Sequence, residues 1–126
     1  MAITSSSILN DGKIHIANMI GNNASSWQYT ILGIGNDTSH IASTNNSGLY
    51  GANVTYANCN ATYEADYKST WEFSFNYSSI TNHKFGEAVI AKNRTEYADN
   101  CLARIVYDDI ELNISDTLKL SLTVGF

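Results

Sequence analysis

The strongest constraint in this chain is a period of two. "TLKLSLTVGF", residues 117–126, sets Leu118, Leu120, Leu122, Val124 and Phe126 on one side and Lys119, Ser121, Thr123 and Gly125 on the other. "WEFSFNY" alternates in the same way through Trp71, Phe73, Phe75 and Tyr77. Successive side chains of a strand point to opposite faces, so strict alternation describes strands with one buried side. Two such strands need a second apolar layer, and a sandwich supplies it. The predicted core is Trp71, Phe73, Phe75, Leu118, Leu120, Leu122, Val124 and Phe126.

Shorter segments carry the pattern further. "WQYTILGIG" has Trp27, Tyr29 and Ile31 on one side and Leu32 and Ile34 on the other. "NVTYANCNATYEADY" is extended, with an irregularity near Asn58, and "FGEAVIA" and "CLARIVYDDI" read as further strands. Polar turns separate them, among them "GNDTSH", "STNNSG" and "KNRTEYADN". The chain has no proline, so its turns rest on Gly, Asn and Asp, which tolerate left-handed backbone. One stretch has helical spacing: Ile14, Ala17 and Ile20 fall near one face, Asn10 or Asp11 can cap the start, and Gly21 with Asn22 and Asn23 stops it. A short helix over 11–20 follows. The expectation is an all-β chain, one antiparallel β-sandwich domain over 1–126, jelly-roll or Ig-like, with one short N-terminal helix. The last strand either packs in its own sheet, the favoured reading, or is donated to a neighbour.

Composition narrows the partners. Charged residues are only 15 % of the chain, against about a quarter in ordinary domains. Polarity comes instead from 15 Asn, 14 Ser and 11 Thr. The net charge is −5, and seven scattered Lys and Arg form no basic stripe, which argues against nucleic-acid binding. No apolar run approaches the about 18 residues of a membrane span. "MAITSSSILNDGK" has no basic segment leading into an apolar run, so no secretory signal is expected.

Few side chains stand at spacings that carry chemistry. His15, His40 and His83 have no cysteine or second histidine at ligand spacing. Glu64, Asp66, Glu72 and Glu87 can meet across a sheet, as acid–base pairs do. Asp108, Asp109, Glu111 and Asp116 supply oxygen ligands without EF-hand spacing. "GIGNDTSH" lacks the third glycine and following helix of a dinucleotide loop. Neither a metal, a cofactor nor catalysis is expected. Cys59 and Cys101 are either two buried small residues or one disulfide, which would close a loop of about 40 residues and stabilise by roughly 3–4 kcal/mol.

One pattern exceeds chance. N-x-S/T sequons stand at Asn23, Asn36, Asn45, Asn53, Asn60, Asn76, Asn93 and Asn113. With about a fifth of residues Ser or Thr, fifteen asparagines give about three by chance. They are either glycan acceptors of an exported protein or a by-product of an amide- and hydroxyl-rich surface.

The order of elements carries a resemblance. A short helix in "DGKIHIANMIG" leads to "ILGIGNDTS". "GEAVIAKN", "LARIVY" and "SDTLKLSLTVGF" come later. This resembles small virion proteins of tailed bacteriophages, archaeal tailed viruses and their proviruses, whose members show strands like "IAIGTGTT", "EAGLFNA" and "LARxVF" and an ending like "GDSLTxTWTxTF". Ile31–Thr38, Gly86–Asn93, Leu102–Tyr107 and Ser115–Phe126 stand at the matching places. Ser115 replaces a turn glycine, Lys119 and Gly125 depart from β-prone residues, and 39–80 match only as generic strand. The resemblance implies a virion structural protein, of tail, fibre or capsid-surface type, that assembles with copies of itself and with other virion proteins and performs no catalysis. The sequons favour an alternative, a subunit of a glycosylated extracellular filament or surface layer that uses strand donation. A third reading, binding of a host-surface glycan, rests on Trp27, Trp71 and the eight tyrosines, residues that at alternate strand positions are more often core.

Overall fold

A computed structural model of the chain describes residues 3–21, 29–64, 66–80, 83–92 and 101–125. In chain order the elements are β1 (Ile3–Ile8), α1 (Asn10–Gly21), β2 (Ile31–Gly35), β3 (Val54–Asn58), β4 (Thr62–Glu64), β5 (Lys68–Asn76), a 3₁₀ turn at Tyr77–Ser79, β6 (Lys84–Ala91), β7 (Cys101–Glu111) and β8 (Thr117–Gly125). Every strand pairing is antiparallel. One sheet runs β1-β7-β6-β2-β3 and the other β4-β5-β8. The all-β sandwich with one short helix is therefore the architecture, with the strands of the described residues divided five and three. The irregularity expected near Asn58 is the place where the chain leaves the larger sheet and crosses to the smaller one.

The core lies between the sheets. The larger sheet contributes Leu32, Ile34, Ala88, Ile90 and Ala103, and the smaller one Trp71, Phe75, Leu118, Leu120, Leu122 and Val124. β8 pairs with β5 along its whole length, from Lys68 opposite Gly125 to Asn76 opposite Thr117, so the terminal strand lies in its own sheet. The Trp71 indole N–H donates to the Tyr29 carbonyl at 2.7 Å, which satisfies its polar atom inside the core.

Some expectations are corrected. Phe73 is not a core residue: it is 37 % exposed and packs edge-on against Phe75, ring centroids 5.0 Å apart. It opens into a shallow cleft beside Thr55, Tyr56 and Ala57 of β3, the outermost strand of the larger sheet, where cover runs out. The helix starts at Asn10, and it does not turn Ile14, Ala17 and Ile20 to the protein; all three are exposed. It packs inward at Ile16, which lies against the core, and at Gly12, where an added Cβ would lie 2.8 Å from the Leu102 Cα of β7. The chain also opens with a strand, β1, that sequence patterning did not indicate. Cys59 and Cys101 are both buried and form no disulfide. Burial raises the pKa of both, that of Cys101 to about 12 with a further push from the Asp11 charge. Trp27 and Phe126 lie outside the described residues.

A third layer bears on function. Leu9, Ile31, Val89, Ala91 and Cys101 form a second apolar cluster, with Leu49 and Tyr56 packed against it. The centre of the five-stranded sheet, β2, β6 and the first half of β7, is thus buried on both faces, by the smaller sheet on one side and by apolar cover from Leu9 and the β2–β3 connection on the other. All five residues of β2 are buried.

Candidate functional site

Two opposite charges sit inside this doubly covered sheet. Glu87 of β6 and Arg104 of β7 both have 0 % exposure. Glu87 is opposite Val106 and Val89 opposite Arg104, which makes the charged pair diagonal neighbours on one face, within reach of long side chains. Arg104 Nη2 lies 3.0 Å from Glu87 Oε1 and its Nε lies 3.3 Å from the same oxygen.

Around them closes the connection between β2 and β3, residues 36–53. Glu87 Oε2 accepts the backbone N–H of Asp37 at 3.0 Å and of Gly51 at 2.7 Å, and Oε1 accepts that of Tyr50 at 2.9 Å. Arg104 Nη1 donates to the His40 carbonyl at 2.9 Å and to Asn46 Oδ1 at 3.2 Å, and Nη2 reaches Asp37 Oδ2 at 3.4 Å. The Tyr50 ring lies 4.9 Å from the guanidinium carbon and stacks on His40 at 4.4 Å. Gly35, opposite Glu87 in β2, makes the room: a Cβ there would stand 2.5 Å from Glu87 Oε2.

Counting valences decides what this cluster can do. A guanidinium has five N–H donors, and all five have acceptors here. Glu87 accepts five hydrogen bonds, all from N–H groups, which fits the ionised carboxylate. No donor of Arg104 is left over for a substrate. The cluster is a pin that fastens one long connection to the sheet.

Asp37 forms its outer end. Its partial burial opposes ionisation, but hydrogen bonds from Ser39 and His40 outweigh that and hold its carboxyl at about 2. Ser39 Oγ donates to Oδ1 at 2.7 Å, and the backbone N–H and Nδ1 of His40 lie 3.1 and 2.9 Å from Oδ2. On the inner side, the Tyr107 hydroxyl donates to the Glu87 carbonyl at 3.2 Å. Burial, then the Glu87 charge, pushes its pKa far up.

The other candidate residues stand apart from this pin. Glu72 is exposed on the outer face of β5, bound to Ser121 Oγ at 2.8 Å and to Lys119 at 3.3 Å. Glu64 and Asp66 are exposed at the β4–β5 connection, so the four carboxylates do not meet. Asp108, Asp109 and Glu111 are exposed, and Asp116 caps a turn by accepting the Asn113 N–H at 2.8 Å. Among the described residues no three His, Cys, Asp or Glu gather to hold a metal. His15 faces the Tyr29 hydroxyl at 3.4 Å and His83 stacks on Tyr77 at 3.5 Å. Of the sequon asparagines, Asn45, Asn60, Asn76 and Asn113 are exposed. Asn36 and Asn53 are half-buried and joined, the Asn36 Oδ1 accepting the Asn53 N–H at 3.2 Å. Asn23 and Asn93 lie outside the described residues.

Sequence reasoning weighed Glu87 as one of several carboxylates and passed over Arg104 and Asp37. A signal was present: "FGEAVIA" and "CLARIVY" each hold one charge, of opposite sign, within an apolar run, and a buried charge demands a partner.

The fold and the pin define a class, an all-β two-sheet protein whose principal polar cluster is internal architecture. No protein-family model, curated protein or solved structure matches the chain. Among the described residues, no helix is long and apolar enough to cross a membrane.

Proposed function

We propose that this chain is a virion structural protein of the kind found in tailed bacteriophages and archaeal tailed viruses. It assembles as an oligomer on the particle, in a tail, fibre or capsid-surface position, and performs no catalysis. The observation that carries the reading is the pin. Glu87 belongs to "GEAVIAKN", Arg104 to "LARIVY" and Asp37 to "ILGIGNDTS", three of the segments that resemble the viral family. They meet in one saturated network whose effect is to hold a surface connection in place. A rigidly held polar loop suits a subunit that meets the same neighbours many times. The test is to purify native particles by density gradient and search them for this chain by mass spectrometry and electron microscopy. Particles that lack the chain, with the protein found free, overturn the reading.

A second reading has an observation of its own. Exposed Asn45, Asn60, Asn76 and Asn113 suit a glycosylated filament or surface-layer subunit. Native material with the intact mass of the bare polypeptide removes it.

A further inference from the structure

We propose that two copies of this chain pair through the free edge of β8, antiparallel and centred on Ser121. The proposal rests on the reading of the chain as an assembly subunit and names the contact. Among the described residues the sheet order leaves four strands on edges: β1, β3, β4 and β8. β4 has three residues and β3 five, and β1 has six with a register break between Ile3 and Ser5. β8 has nine residues and no irregularity in its pairing. Natural edges are blunted by proline, bulges or outward lysines. The chain has no proline, and the one charge on β8, Lys119, is bound to Glu72. Among the described residues Lys119 is the one such device on this edge, and its ammonium is drawn to Glu72 on the neighbouring strand.

What lies beside it points to another sandwich as the occupant. The edges of β8 and β1 flank an open groove of about 440 Å³, lined by Ile3, Ile8, Ile105, Leu122 and Val124. Ile3 is 62 % exposed there. A lone peptide strand would pair with one sheet and leave this seam open. A second copy, related by a two-fold axis, brings its own groove against the first and closes both. Pairing about Ser121 sets Leu118 opposite the partner subunit's Val124 and Leu120 opposite the partner subunit's Leu122 on the inner face. On the outer face Lys119 meets the partner subunit's Thr123, and the two lysines stay apart. Nine residues extend about 30 Å, and two layers about 10 Å apart make an edge about 20 Å tall. The contact covers roughly 600 Å² per copy and about 1,200 Å² in total, the lower bound for a stable interface.

Cysteine cross-linking reads the register. Residues directly opposite on antiparallel strands have Cα atoms about 4.5–5.5 Å apart, inside disulfide range. Ser121→Cys is expected to form a covalent dimer under mild oxidation. Lys119→Cys and Thr123→Cys are each expected to stay monomeric on a denaturing gel when oxidised alone and to cross-link when mixed. The native thiols are buried and stay silent. Ser121→Lys sets like charges face to face across the axis but favours the monomer fold beside Glu72. It is expected to sediment as a folded monomer. If the protein is an oligomer and Ser121→Cys does not cross-link, β8 pairing is wrong while the assembly reading stands. Equal cross-linking by all three single variants shows random collision and overturns the proposal. A wild-type protein monomeric at every concentration overturns it too, and presence or absence in particles then judges the assembly reading separately.

Discussion

Replacing Glu87 by Gln tests the pin at its centre. The side chain keeps its shape, but one oxygen becomes a donor. In the place of Oε2, the new NH₂ would face the N–H groups of Asp37 and Gly51, now 3.0 and 2.7 Å away. In the place of Oε1, it would face the Tyr50 N–H and two Arg104 donors. Either orientation costs at least two hydrogen bonds. The buried guanidinium would retain one carboxylate, that of Asp37 at 3.4 Å. Breaking a buried pair from one side costs about 3–5 kcal/mol. At about 2.1 cal/mol/K per residue the unfolding entropy of this chain is about 0.27 kcal/mol/K, so the midpoint falls by about 11–19 °C. Thermal unfolding followed by circular dichroism measures this. Hydrogen exchange locates it, since the amides of Asp37 and Gly51 lose their acceptor in one orientation and that of Tyr50 in the other. Glu72→Gln, on an exposed face, is the control and is expected to leave those amides unchanged. A midpoint drop under about 4 °C, roughly 1 kcal/mol, with unchanged exchange at the three amides would refute the reasoning.

Three further expectations follow from the same structure. Asp37 has a folded-state pKa near 2, below the usual carboxylate value, so its contribution is present above about pH 4 and is lost as pH falls toward 2. Denaturant titrations between pH 5 and 2 are expected to lose about 1–2 kcal/mol from this group, a slope that Asp37→Asn flattens. Leu120→Asp places a carboxylate at a buried position between the sheets and is expected to yield no cooperatively folded protein; a normal unfolding transition would contradict the core assignment. Cys101, fully buried with its thiol held near 12, is expected to resist a thiol reagent at pH 8 until denaturant is added, and rapid native-state labelling would show that the cover over the larger sheet opens.

Legibility in the sequence followed the physics of each element. β5 and β8 were readable because each has one buried face, and alternation reports that directly. Phe73 was misplaced because alternation names a face and not how far the opposing sheet extends over it. β1 was not readable: "ITSSSI" has isoleucines only at its ends, and its strand state comes from pairing with β7. The helix was found, but its inward side carries Gly12 and Ile16, not Ile14, Ala17 and Ile20. The pin was hidden because Glu87 and Arg104 become neighbours only through the register of β6 on β7, which a break between Phe85 and Glu87 helps to set.

That register explains why charge is tolerated at the centre of a buried sheet. β6 is buried at every position but its first, and β7 at Cys101–Arg104, so along these stretches apolar alternation cannot distinguish one pairing from a neighbouring one. A slip by one residue turns every side chain to the opposite face. With Glu87 in place, such a slip of β6 would drive its carboxylate in beside Leu32 and Ile34 of β2 and toward the leucines of β8, among apolar side chains. The same slip would take Glu87 away from Arg104 and from the backbone N–H groups by which the β2–β3 connection is held over it. An apolar pair of similar volume can equal a buried ion pair in stability. It would not forbid the wrong register, and it would leave the N–H groups of Asp37, Tyr50 and Gly51 without the acceptor they have now. The pin therefore fixes two things together, which residues of β6 and β7 face each other and where the connection from Asn36 to Asn53 lies on the sheet.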